Sequence, residues 1–319
     1  MKRYSRQQIQ QDMNHSKAVR LLEAGFIAFS RGQVQVPPVQ AFNFEQANGD
    51  CCVKSAYVTG EDCFTVKIST GFYDNPAKGL ASNDGLMLVL SALTGQPLAL
   101  LQDEGWLTAL RTALTGRIVA SRLAPAHVTT IGILGTGMQA RMQLQHLLPV
   151  IACRKVVVWG RRQSQLELFR AFAEHLGCRV ETTLDAQDVA RKANLIVSTT
   201  PSREPLLRSE WIRPGTHITA VGADAPGKQE LDPVLLARAE RLFVDSIEQC
   251  CRYGETSHAL AANLIDRSKL QELGRLLAGE VPGRSDDGQI TVADLTGVAV
   301  QDAQIARCTL ECCQPANLA

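Results

Sequence analysis

The sequence has 319 residues, of which 45% are hydrophobic and 20% are charged, and its formal net charge is +1. This length and balance are typical of a globular protein with two domains. Because like charges do not occur in blocks, we expect neither nucleic acid nor an acidic membrane surface as a partner.

The N-terminal stretch and the cysteines predict a cytoplasmic protein. Residues 1–17 are polar and lack the apolar segment of a signal peptide. The most hydrophobic run, 86–101, is interrupted by Gly95-Gln96-Pro97, so we expect no membrane span. The ten cysteines show no C-x-x-C pair and no zinc-ligand spacing. We therefore expect reduced thiols and no metal site.

The first third of the chain predicts one helix followed by strands. From residue 1 to about 35, apolar residues such as Leu22, Phe26 and Phe29 lie three and four apart, which indicates a single amphipathic helix. Strands are then predicted at 39–44, 51–58, 64–69, 86–92 and 97–101. In 64–69 the apolar residues alternate with Thr65, Lys67 and Ser69, which predicts a half-buried strand with Lys67 on its solvated side.

A long helix with few polar residues is predicted at 106–123. It contains Arg111, and a charge in such an apolar helix is tolerated only when it is paired. A substrate carboxylate is one candidate partner, since guanidinium and carboxylate pair in a bidentate manner. A structural acid or a helix end is the alternative.

From Thr129 onward, predicted strands alternate with helices. The strands are expected at 130–134, 155–159, 179–181, 195–199, 217–221 and 241–244. This rhythm is typical of α/β proteins and predicts a Rossmann doubly wound parallel sheet. His217 is expected to be a packed core residue of one strand. Beyond Asp245 the chain is predicted to be helical, with a loop at 283–288 and a last helix at 298–312.

The first of these strands leads into the segment that indicates a nucleotide site. It ends in Gly135-Thr136-Gly137-Met138-Gln139-Ala140, which is G-x-G-x-x-A between a strand and a helix. Gly135 permits the tight turn, Gly137 lets a diphosphate approach the backbone, and Ala140 lets the helix pack closely. The helix N-terminus offers amides and a partial positive charge to phosphates. A purely structural turn is the alternative.

The second strand of this region bears on which dinucleotide is bound. It is followed by Gly160-Arg161-Arg162, without the acidic residue that normally holds the ribose 2′-hydroxyl of NAD. Two arginines suit a 2′-phosphate, so we favour NADP(H) as the cofactor. NAD(H) is the alternative if the arginines are only solvated.

Two later strand ends are predicted to contact the nicotinamide end, because ligands bind beyond the carboxyl ends of the strands in such sheets. These ends are Thr199-Thr200 and Val221-Gly222. Asp224 follows closely and is expected over the reactive ring. Otherwise it is a loop or helix-capping residue.

Five ordered blocks resemble the ornithine cyclodeaminase/μ-crystallin family. They are KISTGFYDNPAKGL, LTALRTALTGRIVA, ILGTGMQA, AVGADAPGKQEL and TVADLTGVAVQD, and the similarity extends from about Val36 to Ala306. Segments 54–80 and 251–263 most resemble the ectoine-utilisation branch. The resemblance implies a homodimer whose α+β substrate-binding and dimerisation domain, 1–121 plus 292–319, contains an inserted Rossmann domain, 122–291. It also implies nicotinamide-dependent chemistry on small α-amino or α-imino acids.

The resemblance also implies roles for individual residues. Lys67 matches the family lysine that contacts the substrate carboxylate or imine, and Arg111 matches the arginine that grips the carboxylate. Asp224 matches the acidic residue near the substrate amine, so Lys67 and Asp224 are the candidate catalytic residues. Many members have an arginine in a P-V-R segment where this chain has Gln40. Lys54 adds a cation on a neighbouring strand, and the expected substrate contacts are Gln40, Lys54, Lys67 and Arg111.

The leading hypothesis is an NAD(P)-dependent reductase of a ketimine or a Δ1-pyrroline-2-carboxylate-like cyclic imine, or an amino acid dehydrogenase in the reverse direction. One alternative is a cyclodeaminase that releases ammonia from ornithine or lysine and uses NAD catalytically. Another is a non-redox hydrolase of a cyclic amidine or thiazoline carboxylate. The last is an NADPH-binding protein without activity, against which the presence of Lys67, Arg111 and Asp224 argues.

Overall fold

The structure, a computed structural model, describes residues 1–313. Its strands are β1 (Lys2–Ser5), β2 (Val34–Gln35), β3 (Gln40–Phe44), β4 (Gly49–Val58), β5 (Cys63–Phe72), β6 (Asn83–Ser91), β7 (Pro97–Gln102), β8 (Ile131–Leu134), β9 (Lys155–Trp159), β10 (Arg179–Thr183), β11 (Leu195–Ser198), β12 (Arg203–Leu207), β13 (His217–Ala220), β14 (Gln229–Leu231), β15 (Arg241–Val244), β16 (Leu270–Glu272) and β17 (Thr291–Asp294). Its α-helices are α1 (Arg6–Asp12), α2 (His15–Ser30), α3 (Trp106–Leu123), α4 (Met138–Leu147), α5 (Gln163–His175), α6 (Ala186–Lys192), α7 (Pro233–Arg238), α8 (Ile247–Cys250), α9 (Glu255–Ala261), α10 (Leu273–Leu277) and α11 (Ala299–Cys312). Short 3₁₀ turns cover Glu45–Ala47, Asn75–Lys78, Ser209–Trp211 and Arg267–Lys269.

Two compact units make up the chain. The first contains residues 1–111 and the described residues from Val298 onward, and the second contains residues 112–297. One boundary therefore lies inside α3, and the other lies just before α11. The limits predicted from the sequence were 121/122 and 291/292, so the first lies further along α3 and the second lies inside β17. The roles expected for the two domains stay a prediction.

The N-terminal segment is not the single helix that was predicted. β1 pairs in parallel with β7, and two helices follow it. Ser5 and Gln8 form a reciprocal capping box at the start of α1, and the Asn14 side chain accepts a hydrogen bond from the Lys17 amide at the start of α2. Such caps begin new helices, so Ser5 and Asn14 are the signals that separate this segment into its elements.

The first unit is built on a seven-stranded sheet. Its order is β1-β7-β6-β5-β4-β2, β3 also pairs with β4, and every pair except β1–β7 is antiparallel. Helix α11 packs on β4 and β5 and against α2. Ala56 of β4 clusters with Ala299 and Ala303 of α11, and these small side chains let the helix approach the sheet closely.

The two faces of β5 are the reverse of the prediction. Thr65 and Lys67 are each only 2% exposed, whereas Ile68 is 37% exposed. The alternating pattern therefore identified the strand correctly but assigned the wrong face to the core. Because α11 covers the face that carries Lys67, this lysine is buried and not solvated. A period of two cannot by itself tell which face of a sheet is covered.

The second unit has the predicted doubly wound parallel sheet. Its eight strands lie in the order β10-β9-β8-β11-β13-β17-β15-β16, and all neighbours are parallel. The sequence analysis missed β16 and β17, as well as the separate pair β12–β14. Strand β17 is fully buried between β13 and β15. Its sequence, Thr291-Val292-Ala293-Asp294, has a polar residue at each end and does not read as an apolar run.

Both faces of this parallel sheet are buried, as the β11 side chains show. Leu195 and Val197 belong to one hydrophobic core with residues of α4 and α5. Ile196 belongs to another, with residues of α6 and α7. Covered faces on both sides explain why the strands read as continuous apolar runs.

His217 is a packed core residue of β13, as predicted. Its ring nitrogens lie 2.8 Å from the Thr291 hydroxyl and 3.0 Å from the Thr219 hydroxyl. Burial, assisted by the charge of Arg284, lowers the pKa of His217 to about 3, so the ring is neutral at physiological pH.

The remaining features concern membranes, thiols and metals. Within residues 1–313, no helix is both long and apolar enough to cross a membrane. All ten cysteines are free thiols. Over the same range, no group of three or more His, Cys, Asp or Glu side chains is arranged to hold a metal ion.

Candidate functional site

The turn between β8 and α4 is tightly packed and depends on glycine. Gly135 has φ +111°, and a Cβ there would lie 2.6 Å from the Thr199 hydroxyl. Both the backbone conformation and the packing therefore require glycine. Gly160, after β9, is similarly enclosed, since its Cβ would lie 2.8 Å from Thr136 Cγ2. Ala140 is completely buried, which allows α4 to pack closely on the sheet.

Gly137 differs from the enclosed glycines. A Cβ at this position would meet no atom within 4 Å, and its φ of −74° is accessible to any residue. Glycine is therefore not required here by the chain's own packing, and the open space suits the approach of a ligand. Gly137 precedes α4, whose N-terminus has no side-chain cap and no acidic residue in its first turn. The start of α4, at Met138 and Gln139, thus fits a diphosphate group.

Arg161 and Arg162 are exposed immediately after β9. Arg162 is the residue that precedes α5, and that helix has no side-chain cap. Both positions follow the carboxyl end of a strand that neighbours β8. Neither residue is an acid, so the charge near this strand end suits a phosphate better than a ribose hydroxyl.

The ends of β11 and β13 lie side by side in the sheet. Thr199 is held to β8, because its amide and hydroxyl donate to the Leu134 carbonyl over 3.0 and 2.9 Å. Thr200 and Gly222 both donate their amides to the carboxylate of Glu230, a residue that the sequence analysis did not single out. Its neighbours Lys228, Gln229 and Asp232 are polar, so the local sequence gives no signal that Glu230 is buried.

Asp224 lies in the loop between β13 and β14. Its carboxylate is 2.6 Å from the Lys228 ammonium, and the side chains of these two residues are 53% and 18% exposed. Lys228 in turn is linked to α9, since its carbonyl lies 2.9 Å from His258 Nε2. Asp224 is therefore a loop residue with an exposed carboxylate, held by a cation of the same loop.

In the first unit, three elements bring buried charges together. Lys67 of β5 lies 2.9 Å from one carboxylate oxygen of Asp302, and Arg111 Nε of α3 lies 3.1 Å from the other. Arg111 Nη1 also donates to the Gln301 side chain over 2.9 Å. We call Lys67, Arg111, Gln301 and Asp302 the charge cluster. Asp302 is thus the structural acid that the sequence analysis gave as the alternative partner of Arg111.

The sequence analysis missed Gln301 and Asp302, although both lie in the family-like block at 291–302. Their signal is two adjacent polar residues in a helix whose other residues are mostly apolar and buried. In α11, burial of charged or amide groups is tolerated only with partners, and Lys67 and Arg111 supply them.

The charges of the cluster shift one another's pKa values. Burial lowers the pKa of Lys67 to about 8, although the neighbouring Asp302 acts to raise it. Burial alone would raise the pKa of Asp302, but Lys67 and Arg111 outweigh burial and hold it below its ordinary value. Burial also raises the pKa of Asp103, whose side chain caps the start of α3, to about 6. Lys67 can therefore gain or lose a proton near neutral pH.

The two remaining candidates, Lys54 and Gln40, lie on different faces of the sheet. Lys54 is directly opposite Lys67 in the β4–β5 register, and its charge acts on both Lys67 and Asp302. Gln40 is opposite Val53, which places it on the other face, where it is exposed. The structure therefore groups Lys54 with the charge cluster and leaves Gln40 outside it. Spacing along the chain did not reveal this, because one residue of register changes the face.

Known proteins resemble this chain over most of its length. The model of the ornithine cyclodeaminase/mu-crystallin family matches residues 3–315. A Rhizobium meliloti protein that carries the name of a dehydrogenase is 42% identical over 292 residues, which cover 91% of this chain and 88% of that protein. The structure of Thermococcus litoralis Δ1-pyrroline-2-carboxylate reductase with NADH and L-proline is 28% identical, with a TM-score of 0.91 and coverage of 98% of this chain and 97% of that one. An archaeal alanine dehydrogenase dimer with bound NAD is 32% identical, with a TM-score of 0.90 and coverage of 98% and 95%.

Proposed function

Because this chain belongs to the ornithine cyclodeaminase/mu-crystallin family, we propose that it is a nicotinamide-dependent enzyme of small amino and imino acids. The reaction is the reduction of an α-imino acid to the α-amino acid, or the reverse oxidation. Two of the similar proteins have names that fit this class. One is a Δ1-pyrroline-2-carboxylate reductase in complex with NADH and L-proline, and the other is an alanine dehydrogenase with bound NAD.

The observation that carries this proposal is the charge cluster with its neighbours. Lys54, Lys67 and Arg111 are three cations, whereas Asp302 and Asp103 are two acids. Arg111 and Lys67 are nearly completely buried and lie 3.1 and 2.9 Å from the Asp302 carboxylate. Lysine and arginine side chains grouped in this way suit an anionic ligand, and a substrate carboxylate is such a ligand.

Each residue then has a distinct role in the proposed reaction. When bound, a reduced nicotinamide supplies a hydride to the imine carbon. Arg111 and Lys54 hold the carboxylate, and Asp302 keeps Arg111 and Lys67 in place. Lys67 donates the proton that the imine nitrogen needs as the C=N bond becomes C–N, and takes it back in the oxidation. Asp224 accepts a hydrogen bond from the substrate amine.

For the cofactor, we propose a preference for NADP(H) over NAD(H), on the basis of Arg161 and Arg162. Replacement of both arginines by alanine should weaken NADPH binding at least about tenfold and leave NADH binding nearly unchanged, since only NADPH carries the 2′-phosphate. Fluorescence titration of the wild type and of R161A/R162A measures both affinities. Tighter binding of NADH by the wild-type protein would remove this part of the proposal.

We also propose a homodimer that forms through the outer face of the first unit's sheet. The pairing register places Phe42, Val53 and Ile68 on this face, and Phe42 is 54% exposed. Exposed apolar side chains on one sheet face are typical of an interface. A second copy of the chain is the occupant, consistent with the dimeric alanine dehydrogenase that the chain resembles.

A cyclodeaminase is the second candidate, and Asp224 favours it. Its exposed carboxylate is suited to bind the distal amine of a diamino acid such as ornithine or lysine. In that reaction the nicotinamide is not consumed and ammonia is released, so the two candidates differ in net redox change.

One screen separates the candidates. NADPH and NADH oxidation is followed with five- and six-membered cyclic imino acids and with pyruvate plus amines, and ammonia is assayed with ornithine and lysine. We expect cofactor oxidation with an imino acid and no ammonia. In K67A, turnover should fall at least about a hundredfold with cofactor affinity within twofold of the wild type, because a proton donor contributes to the reaction and not to cofactor binding. Ammonia release without net cofactor oxidation would favour the cyclodeaminase, and an equal loss of turnover and cofactor affinity would refute the role of Lys67.

A further inference from the structure

Glu230 of β14 is a fully buried acid, and both of its carboxylate oxygens accept hydrogen bonds from residues of the second unit. One of its oxygens accepts hydrogen bonds from the Ser198 hydroxyl over 2.7 Å and from the Gly222 amide over 3.0 Å. Its other oxygen accepts from the Thr200 amide over 2.6 Å. A single side chain thus receives three hydrogen bonds, all from residues at strand ends.

These three donors belong to two neighbouring strands. Ser198 and Thr200 lie at the carboxyl end of β11, and Gly222 lies just beyond the carboxyl end of β13. Because β11 and β13 are hydrogen-bonded neighbours, Glu230 joins their ends. The packing is tight, since a Cβ on Gly222 would lie 2.2 Å from the Thr200 carbonyl and 2.4 Å from the Glu230 carboxylate.

A second acid, Glu255, holds the backbone of Glu230 in place. Glu255, the first residue of α9, accepts the amides of Glu230 and Leu231 over 2.7 and 2.9 Å. Glu255 is buried, so this contact fixes the short strand β14. A continuous set of hydrogen bonds therefore runs from α9 through β14 to the ends of β11 and β13.

We propose that Glu230 is a positioning residue that fixes the two strand ends on which the nicotinamide end of the cofactor rests. The inference rests on the proposed function, because Thr199-Thr200 and Val221-Gly222 are the segments predicted to contact that end. The adenine and diphosphate end is bound elsewhere, at Gly135 to Ala140 and at Arg161-Arg162. Loss of the Glu230 carboxylate should therefore weaken binding of the nicotinamide end of the cofactor and leave binding of the adenine and diphosphate end unchanged.

Glu230→Gln is the sharpest substitution, because it keeps the size of the side chain. The amide group has one acceptor oxygen and one NH₂ donor, so at least one of the three donors must face another donor. Glu248→Gln is the matched control, since Glu248 is an exposed acid of the same unit with a surface partner, Arg252. Two probes, NADPH and NADH, contain the nicotinamide. The other two, ADP-ribose and its 2′-phosphate, lack it.

Calorimetric titration of the wild type, E230Q and E248Q measures the affinity for each probe, and thermal melting confirms that the variants are folded. We expect E230Q to bind NADPH or NADH about tenfold more weakly, and the ADP-ribose probes within twofold of the wild type. E248Q should match the wild type with every probe.

Other outcomes overturn the inference in distinguishable ways. Unchanged NADPH and NADH affinity in E230Q shows that the strand ends do not depend on this carboxylate. An equal loss for all probes shows that Glu230 serves only the general fold. If the wild type itself binds neither the dinucleotides nor ADP-ribose, the proposed function fails and leaves Glu230 no cofactor to position.

Discussion

Asp302 is the residue that gives the charge cluster its geometry. It lies between Lys67 and Arg111, one carboxylate oxygen to each, and it is buried with both. Its negative charge raises the pKa of Lys67 against the effect of burial. Asp302 therefore has two effects in the proposed reaction: it orients the two cations, and it keeps Lys67 protonated to a higher pH than burial alone would allow.

Asp302→Asn should change the pH dependence of imine reduction. Since the proposed donor must be protonated, we expect wild-type kcat/KM to fall as pH rises through about 8. Removing the Asp302 charge lowers the pKa of Lys67, so this fall should begin at lower pH in D302N. Breaking the buried pairs should also cost about 3–5 kcal/mol of stability.

Glu311→Gln provides the control for Asp302→Asn. Glu311 lies on the same helix, and its partners Lys17 and Arg307 are partly exposed. Surface pairs of this kind contribute about 0–1 kcal/mol, so E311Q should keep both stability and the pH profile. A folded D302N protein whose activity falls at the same pH as the wild type would refute the role of Asp302.

Some site residues could be predicted from the sequence and others could not, because the contacts of the latter join distant parts of the chain. Lys67 and Arg111 were identified by their resemblance to a family, and the structure brings them to one carboxylate. Asp302 comes from the far end of the chain, so no local spacing connects it with them. Gln40 was grouped with Lys67 by distance along the sequence, but the strand register places it on the opposite face.

Among the elements, the strand–turn–helix of β8 and α4 was predicted correctly, and its role as a diphosphate site stays a prediction. Gly135 is required by its positive φ and its close packing, whereas the open space at Gly137 supports the proposed diphosphate site. The long helix α3 was also predicted at its observed limits. By contrast, β17 and the cap-separated N-terminal helices were missed, since β17 has polar residues at both ends and a single cap residue gives only a weak local signal.

Gly137→Ala tests the function of this element. A Cβ at Gly137 meets no protein atom, so the melting temperature should stay within about 2 °C of the wild type. The same methyl group would occupy space that a diphosphate needs, so NADPH and NADH affinity should fall at least about tenfold. Gln145→Ala, an exposed position of α4, is the control and should keep full affinity. Undiminished affinity in G137A would count against the diphosphate site.

At the scale of the whole molecule, the outer sheet face of the first unit predicts self-association. Ile68→Asp places a charge on this face and should convert a dimer into a monomer, because an unpaired charge is costly in an apolar interface. Leu93→Asp is matched in chemistry, but Leu93 lies in the turn between β6 and β7 and is 79% exposed. Analytical ultracentrifugation should find dimers of the wild type and L93D. A dimeric I68D protein would place the interface elsewhere.

Buried acids of the second unit predict a second molecular property, the pH dependence of stability. Burial raises the pKa of Asp294 from 3.8 to about 7, so between these values the native state binds more protons than the unfolded state. The contribution of Asp294 to stability therefore falls as pH rises through this window. Buried His217, whose pKa is lowered to about 3, acts in the opposite sense below pH 6.5. The contribution of Asp294 to the pH dependence of stability can therefore be separated only by comparing the wild type with a variant that lacks this acid.

Asp294→Asn is that variant, since asparagine does not titrate and can still accept the Thr256 amide hydrogen bond. Thermal melting of wild type and D294N from pH 5 to pH 8 gives the difference in stability. We expect the wild type to lose stability relative to D294N as pH rises, with a steepest slope of roughly 1.4 kcal/mol for each step of one in pH. A difference that is independent of pH would contradict the raised pKa of Asp294.

In the proposed function, the chain passes a hydride between a nicotinamide and the α-carbon of a small imino acid whose carboxylate the charge cluster holds. Incubation with NADPH or NADH deuterated at C4, together with a cyclic imino acid, tests it directly by mass spectrometry of the amino acid product. We predict one deuterium at the α-carbon of the product, and at least about a hundredfold slower formation of this product by the Lys67→Ala variant. Two results would contradict the proposed reaction. One is a product that carries no deuterium, whichever face of the nicotinamide ring is labelled, and the other is release of ammonia from a diamino acid with no net oxidation of the cofactor.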